Sequence, residues 1–245
     1  MVRRFGHSAA LEVGDVFSGA ASPSDLGRRT AATDGLATAA RQRKLTYIAL
    51  GPLTNLATFL QLHPRLADRI ERVIFVGGHA SRDDLTLGPR RSFRIHDANV
   101  FKDSKAAGAV LRSKIPLTLL PIATSSQLTI DRADLRALER SGGAGYYLSR
   151  RSRIWLWFWT NFVRTNGGPI FDALAIIPAA KPGLLSIEKR YAKMDDTANL
   201  IVTSRRTNGA RPVGYCTGFS PATKRFVMGR LMTRITRKGP STCDD

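Results

Sequence analysis

Two short polar side chains, Asp97 and Asn99, lie two positions apart after a long loop that runs from Gly77 to Phe93. A carboxylate and a carboxamide can each bind hydroxyl groups, and long loops often carry function. The same residue types also form local turns, and Asp103 a few positions later can cap a helix. The sequence therefore leaves two interpretations open, a hydroxyl-binding pair and a polar turn before a capped helix.

A single carboxylate, Asp172, begins an otherwise apolar stretch that is predicted to be helical over 171–180. An aspartate at that place is commonly an N-cap, whose oxygen accepts a backbone amide. The alternative is a carboxylate that is free to bind a hard cation such as Ca²⁺, which prefers oxygen ligands. Both interpretations stay open from the pattern alone.

The elements that must position these residues are short apolar runs separated by helical patterns. The runs 45–50, 72–76 and 115–120 are nearly continuous rather than alternating, which is typical of strands buried on both faces of a parallel sheet. Alternation of strand and helix predicts an α/β fold with a mostly parallel, Rossmann-like open sheet flanked by helices. Ligands bind beyond the carboxyl ends of such strands, so the turn after each run is a candidate site.

The remaining elements follow from periodicity and caps. Helices are predicted over 30–43, 52–62, 103–112, 131–140, 142–165, 171–180 and 221–234, and short strands within 187–216. Asp131 is the expected N-cap of its helix, with Asp134 as capping-box partner. The tryptophans 155, 157 and 159 are expected in the core, because aromatic residues on long helices usually pack inward. Residues 1–237 are expected to form one domain, followed by a mobile tail over 238–245.

Composition narrows the class of protein. The 245 residues include 38 Lys+Arg against 19 Asp+Glu, a formal net charge of +19. The basic residues are scattered, so a solvated basic surface is favoured over a nucleic-acid-binding module, which stays the rival interpretation. The two cysteines do not indicate a disulfide scaffold. No apolar run approaches the roughly 18 residues of a membrane helix, so a cytoplasmic protein with no membrane partner is expected.

Several motifs, in order, resemble the inosine/uridine-type nucleoside hydrolase family. They are the turn 50–57 (LGPLTNLA), the strand 70–78 (IERVIFVGG), Asn99 with the segment 103–107, the strand 116–127, and the helix start 167–175 (GGPIFDALA). The resemblance implies the family's fold and cleavage of the N-glycosidic bond of ribonucleosides to ribose and free base. It also implies a Ca²⁺ that holds the ribose hydroxyls and the attacking water, and an assembly of dimers or tetramers.

The resemblance assigns roles residue by residue. It places Asp172 and the backbone carbonyl of Leu50 on the calcium ion, and Asn99 on the ribose hydroxyls. Asp97 stands where the family usually has a glutamate that binds the 5′-hydroxyl. Phe171 stands where many members have a histidine near the leaving base, and a phenylalanine can stack there but cannot donate a proton.

The sequence departs from the family pattern in its N-terminal part. No D-x-D-x-G-x-D-D motif is present, although in the family this motif supplies the other calcium carboxylates and the general base. Residues 16–23 instead resemble a later strand of the family, and the loop 24–30 is short. The general base is therefore unassigned, and weak Ca²⁺ binding with little or no hydrolysis is expected of this chain. A sheet without the family's first strand is expected to have two unpaired edges. A non-catalytic relative that binds ribose or nucleosides is the alternative function.

Overall fold

The computed structural model describes residues 30–89 and 92–233. Its strands are β1 (Leu45–Ala49), β2 (Ile70–Val76), β3 (Thr86–Leu87), β4 (Phe93–Arg94), β5 (Leu117–Leu120), β6 (Thr129–Ile130), β7 (Gly168–Pro169), β8 (Leu185–Met194), β9 (Leu200–Thr203) and β10 (Arg211–Phe219). Its α-helices are α1 (Ala31–Gln42), α2 (Thr54–Leu62), α3 (Ala98–Lys102), α4 (Ser104–Arg112), α5 (Ile122–Ser125), α6 (Arg132–Ser141), α7 (Gly143–Arg151), α8 (Arg153–Trp157), α9 (Ile177–Ala180) and α10 (Ala222–Met232). Shorter 3₁₀ helices span Pro64–Arg69, Arg82–Leu85, Phe171–Ile176 and Pro182–Leu184.

Six strands of the described chain form the main sheet, in the order β1-β2-β5-β10-β8-β9. Neighbours are parallel from β1 to β10, and the last two pairings, β10 with β8 and β8 with β9, are antiparallel. The expected α/β fold with a mostly parallel sheet is confirmed. Strand β10 is inserted between β5 and β8, although it comes last in the chain.

Both faces of the sheet are covered, as the continuous apolar runs predict. Along β2, Val73 and Phe75 belong to one core cluster, whereas Ile74 and Val76 belong to another. Successive side chains of a strand alternate between faces, so helices must pack on both sides of β2. The first cluster includes α1, α2 and α4, and the second includes Leu174 and α10.

Local capping explains where several helices begin. The side chain of Asp131 accepts the backbone amides of Ala133 and Asp134, and the Asp134 carboxylate accepts the amide of Asp131. This reciprocal pair is the capping box predicted from the sequence. Thr30 and Thr33 form the equivalent pair at the start of α1. Residue identity at these positions therefore fixes the first turn of each helix.

The long helix predicted over 142–165 consists of α7, α8 and a π-helical turn, Phe158–Phe162, with helical backbone at Ser152 between α7 and α8. The expectation that its tryptophans lie in the core is wrong for Trp157, whose side chain is 58% exposed. Trp159 is 8% exposed and thus buried. Trp157 lines an open groove beside α6, whereas Trp159 packs against the rings of Phe93 and Phe171.

The described sheet ends at β1 on one side and at β9 on the other. Within the described residues β1 pairs only with β2, and of its five residues only Ala49 is fully buried. The predictions for 16–23 and for the tail 238–245 lie outside the described residues, as does most of the loop 24–30. Among the described helices, none combines the length and the apolar character needed to cross a membrane.

Candidate functional site

Asn99 lies at the carboxyl end of β2. It is in the first turn of α3, and its Nδ2 donates a hydrogen bond of 2.8 Å to the carbonyl oxygen of Val76, the last residue of β2. This contact fixes the orientation of the amide. The Oδ1 atom is therefore the part of the side chain that can accept a hydrogen from a ligand hydroxyl.

Asp97 is engaged by the protein itself. It is only 7% exposed, and its carboxylate accepts the backbone amide of Gly78 at 2.6 Å and that of Val100 at 3.3 Å. Burial raises the pKa of the carboxyl group, and the amide donors offset this only in part. Asp97 is thus the N-cap of α3 and a clamp on the turn after β2. Each carboxylate oxygen accepts one of these amides.

The turn that Asp97 holds requires glycine at two positions. A Cβ on Gly77 would stand 2.7 Å from a ring carbon of Phe75 and 3.2 Å from Oδ2 of Asp97. Gly78 has φ of +80°, in the left-handed region. The Gly77-Gly78 pair therefore lets the backbone leave β2 close to the Asp97 carboxylate.

Asp172 is different, because it caps nothing. It is the second residue of the 3₁₀ helix Phe171–Ile176, whose N-cap is Ile170 and which has no side-chain cap. Among the described residues no hydrogen-bond donor or cation contacts its carboxylate, which is exposed. Neighbouring atoms desolvate it enough to raise its pKa. The N-cap interpretation is therefore wrong, and an available carboxylate remains.

The 3₁₀ helix that bears Asp172 packs against β1 and β2. Leu174 and Ala175 of this helix are fully buried and fix it on the sheet. Leu50 directly follows β1 and is 47% exposed. The structure thus places Leu50 and Asn99 at the carboxyl ends of neighbouring strands, and Asp172 on a helix that contacts both strands.

Phe171 belongs to an aromatic cluster. Its ring meets that of Trp159 at 5.9 Å between centroids, and Trp159 meets Phe93 at 6.2 Å, both in edge-on geometry. Phe93 lies in the β3–β4 hairpin, within the long loop that precedes Asp97. The cluster therefore joins that loop to the segment that carries Asp172, and Phe171 is partly committed to packing.

Two features of the site were missed by the sequence reasoning, a contact of Trp155 and the burial of His79. Trp155 packs on Gly168, where an added Cβ would stand 2.3 Å from the indole ring, so this glycine seats the start of the Asp172 segment. His79 is 4% exposed, its backbone pairs with Leu200 and Val202, and its Nδ1 has no hydrogen-bond partner in the described part of the chain. The sequence signal for His79 was its place directly after Gly77-Gly78, whereas no local pattern links Trp155 to Gly168.

The described residues do not fit a calcium ion. Ca²⁺ takes six to eight oxygen ligands. Among the described residues, which leave out positions 90 and 91 and the side chains of 82 and 83, no group of three or more metal-binding side chains occurs. Asp97 is held by backbone amides, and Asp103 accepts the Thr54 hydroxyl at 2.5 Å and the Ala106 amide at 2.9 Å. Asp172 and the backbone carbonyl of Leu50 cannot alone supply the six to eight oxygen ligands that Ca²⁺ takes.

Known proteins resemble this chain over most of its length. The family model for inosine-uridine preferring nucleoside hydrolases matches residues 9–223. The pyrimidine-specific ribonucleoside hydrolase RihB of Shigella flexneri serotype 5b is 26% identical over 152 residues, 62% of this chain and 46% of that protein. RihB of Escherichia coli O1:K1 matches to the same extent. The chain therefore spans about half the length of these curated relatives.

Solved structures show the same fold. A purine-preferring ribonucleoside hydrolase from Gardnerella vaginalis superposes with a TM-score of 0.71 at 21% identity, over 84% of this chain and 66% of that chain. The plant nucleoside hydrolase PpNRh1 gives 0.68 at 21% identity, over 84% and 70%. The fold, the order of the motifs and the extent of the family match all point to the same family. This chain belongs to the inosine-uridine preferring nucleoside hydrolase family.

Proposed function

We propose that this chain binds the sugar of a ribonucleoside beside the ends of β1 and β2, and that alone it hydrolyses the N-glycosidic bond slowly or not at all. The observation that supports the proposal is that the Asp172 carboxylate is available to a ligand. Its carboxylate has no partner among the described residues, whereas those of Asp97 and Asp103 are satisfied by the protein. A carboxylate near the sugar favours positive charge that develops there when the glycosidic bond breaks.

The sugar contacts follow from the same geometry. Asn99 offers Oδ1 to a ribose hydroxyl, because its Nδ2 is held by Val76. Asp97 contributes indirectly, since its oxygens hold the amides of Gly78 and Val100 and the residue is only 7% exposed. Phe171 supplies an aromatic edge for the base. The relatives include pyrimidine-specific and purine-preferring enzymes, so no base preference is proposed.

Weak catalysis follows from what the described residues lack. Of the carboxylates that the structure describes at this place, only Asp172 is free, and hydrolysis also requires a base that activates water. Partial desolvation raises the pKa of Asp172, which disfavours the charged form of its carboxyl group. Binding of Ca²⁺ in the millimolar range is therefore proposed, with a non-catalytic nucleoside-binding relative as the alternative role.

The wider setting is also a proposal. Residues 1–237 are taken as one domain, in a cytoplasmic protein that assembles into dimers or tetramers. Among the described strands β1 pairs with β2 alone, which supports assembly, because an edge strand presents unpaired backbone groups that another chain can cover. The scattered basic residues support a solvated surface rather than a nucleic-acid site.

The test combines calorimetry with a hydrolysis assay on the full chain. Ca²⁺ is titrated with and without ribose, and release of reducing sugar from inosine and uridine is measured. Expected are millimolar Ca²⁺ affinity, ribose-dependent heat and turnover far below the 1–10³ s⁻¹ that is typical of enzymes. Submicromolar Ca²⁺ binding or ordinary turnover would overturn the claim of an incomplete site.

Variants locate the site. Asp172→Ala should abolish residual hydrolysis and weaken the response to Ca²⁺. Asp68→Ala is the matched control, since Asp68 is an exposed carboxylate in the 3₁₀ helix that precedes β2, at the opposite end of that strand. Asn99→Ala should remove the ribose-dependent heat. Equal effects of the Asp172 and Asp68 variants would refute the assignment.

A further inference from the structure

An exposed face of the helical segment that contains α7 and α8 combines large apolar side chains with arginines. We call this set the arginine–aromatic face; it consists of Tyr146, Tyr147, Arg150, Arg151, Ile154 and Trp157. Ile154 is 82% exposed, Tyr147 60%, Trp157 58% and Tyr146 49%. The spacing of three or four residues places them along adjacent stripes of one helix face. Exposed apolar groups concentrated in this way are typical of interaction sites.

The arginines of this face are ordered against its aromatic rings. The guanidinium carbon of Arg150 lies 6.0 Å from the ring centroid of Tyr146, and that of Arg151 lies 5.5 Å from that of Tyr147. No carboxylate of the described residues forms an ion pair with either arginine. The sequence from Gly143 to Arg164 contains no Asp or Glu. Both positive charges are therefore available to an anionic partner.

Neighbouring acidic groups on α6 are already neutralised. Glu139 pairs with Arg153 at 2.9 Å, and Asp134 pairs with Lys224 at 2.6 Å. A groove of about 340 Å³ separates α6 from α8; its lining combines Leu135 and Trp157 with two arginines and the Arg153–Glu139 pair. The groove is continuous with the arginine–aromatic face through Trp157, and its lining likewise combines apolar side chains with arginines.

Charge and side-chain chemistry select the occupant. A second copy docked symmetrically on this face would bring arginine against arginine, which opposes association. A nucleic acid would use the arginines and aromatic rings, but Ile154, the most exposed member, neither stacks on bases nor hydrogen-bonds to them. An anionic bilayer uses every member, because phosphates attract arginine, and aliphatic and aromatic side chains enter the boundary between headgroups and acyl chains.

We propose that the arginine–aromatic face docks this protein on the surface of an anionic lipid bilayer, with Ile154 and Trp157 among the headgroups and Arg150 and Arg151 on the phosphates. The contact is peripheral and requires no membrane-spanning helix. It lies outside the sugar site proposed above and does not depend on it. It departs from the expectation, drawn from the sequence, of a protein without a membrane partner.

The experiment measures sedimentation of the full chain with vesicles. Vesicles of phosphatidylcholine alone are compared with an equal mixture of phosphatidylcholine and phosphatidylglycerol, at low and high salt. Binding is expected to the mixture only, with release at high salt and a blue shift of tryptophan emission on binding. The shift should diminish in Trp157→Phe. Equal binding to both vesicle types, or to neither, would overturn the proposal.

Paired variants separate this face from the overall positive charge. Arg150→Gln/Arg151→Gln should weaken partition into the mixed vesicles roughly 30-fold, since each surface cation contributes about fivefold. Arg205→Gln/Arg206→Gln removes the same charge from the β9–β10 connection and should change partition only slightly. Ile154→Asp should weaken it roughly tenfold or more. Ile187→Asp alters another exposed isoleucine, 42% exposed on β8, and should leave it unchanged.

Two outcomes would replace the lipid with another occupant. Binding of a single-stranded oligonucleotide that is lost in Arg150→Gln/Arg151→Gln, without vesicle binding, would assign the face to nucleic acid. A concentration-dependent dimer that is lost in Ile154→Asp, again without vesicle binding, would assign it to self-association. Equal loss of vesicle binding in both arginine pairs would show that net charge alone drives adsorption.

Discussion

The carboxylate of Asp97 accepts the backbone amide of Gly78 across 2.6 Å, although the two residues are 19 positions apart. The same group accepts the amide of Val100 and so joins the turn after β2 to the start of α3. Asn99 lies between these anchored points, and its own amide is held by Val76. Asp97 therefore shapes the place where the sugar is proposed to bind.

The first prediction concerns stability. Asp97→Ala leaves the amides of Gly78 and Val100 buried without their acceptor, and unpaired buried donors are costly. The free energy of unfolding should fall by about 1–3 kcal/mol. Urea unfolding followed by circular dichroism measures this. Asp68→Ala, on an exposed residue, should change it by less than about 0.5 kcal/mol, and a comparable loss there would show that the Asp97 contacts are not responsible.

The second prediction concerns pH. Burial raises the pKa of Asp97 above its ordinary 3.8, so the folded state binds this proton more tightly than the unfolded state does. The stability contribution of this group is therefore greatest at low pH and declines as pH rises from the ordinary value through the raised one. Asp97→Asn removes the titration. The stability of the natural protein relative to this variant should decline over that window and then level off.

Urea unfolding of both proteins at several pH values measures the difference, and the contributions of other carboxylates cancel when the two are subtracted. A difference that grows with pH would mean that the amides of Gly78 and Val100 outweigh the burial of Asp97. The pKa of this group would then be lowered rather than raised.

The parts of the fold that could be predicted are those set by residues close together in sequence. The strands β1, β2 and β5 are continuous apolar runs ended by glycine or proline, and Asp131 caps its helix with partners only a few residues away. These features depend on neighbours in sequence. The place of β10 between β5 and β8 depends on pairings across many residues, which no local pattern specifies.

The candidate site shows the same limit. The resemblance identified Asn99 and Asp172 because their motifs are local. It could not show that Asp97 is held by Gly78, since that contact forms only when the turn after β2 meets α3. Nor could helical periodicity show which side of α8 lacks a covering element. Trp157 is exposed for that reason, whereas Trp155 and Trp159 pack against Gly168 and Phe171.

The third prediction concerns the seat of the Asp172 segment. In Gly168→Ala the new methyl group would stand 2.3 Å from the ring of Trp155, so the indole or the β7 backbone must move. Overpacking of this kind typically costs about 1–3 kcal/mol. Near-ultraviolet circular dichroism should report the displaced indole, and urea unfolding the lost stability.

Its control is Gly183→Ala, because nothing lies within 4 Å of a Cβ at that position. The double variant Trp155→Phe/Gly168→Ala should recover part of the stability, since the smaller ring leaves room for the methyl group. Absence of any recovery would show that Trp155 is not the group that Gly168 accommodates.

The fourth prediction concerns Cys216, which is fully buried in β10 and donates through Sγ to the carbonyl of Gly218 at 3.4 Å. Burial raises the pKa of its thiol to about 11. The thiolate is the reactive form, so native Cys216 should resist alkylation at neutral pH and react freely in urea. Labelling is measured by mass spectrometry in a Cys243→Ser background, which leaves Cys216 as the remaining thiol.

Because β10 lies between β5 and β8, exposure of the Cys216 thiol requires opening of the central sheet. Its protection should therefore disappear at the urea concentration where the whole fold unfolds, and rapid labelling well below that concentration would mean that β10 detaches independently.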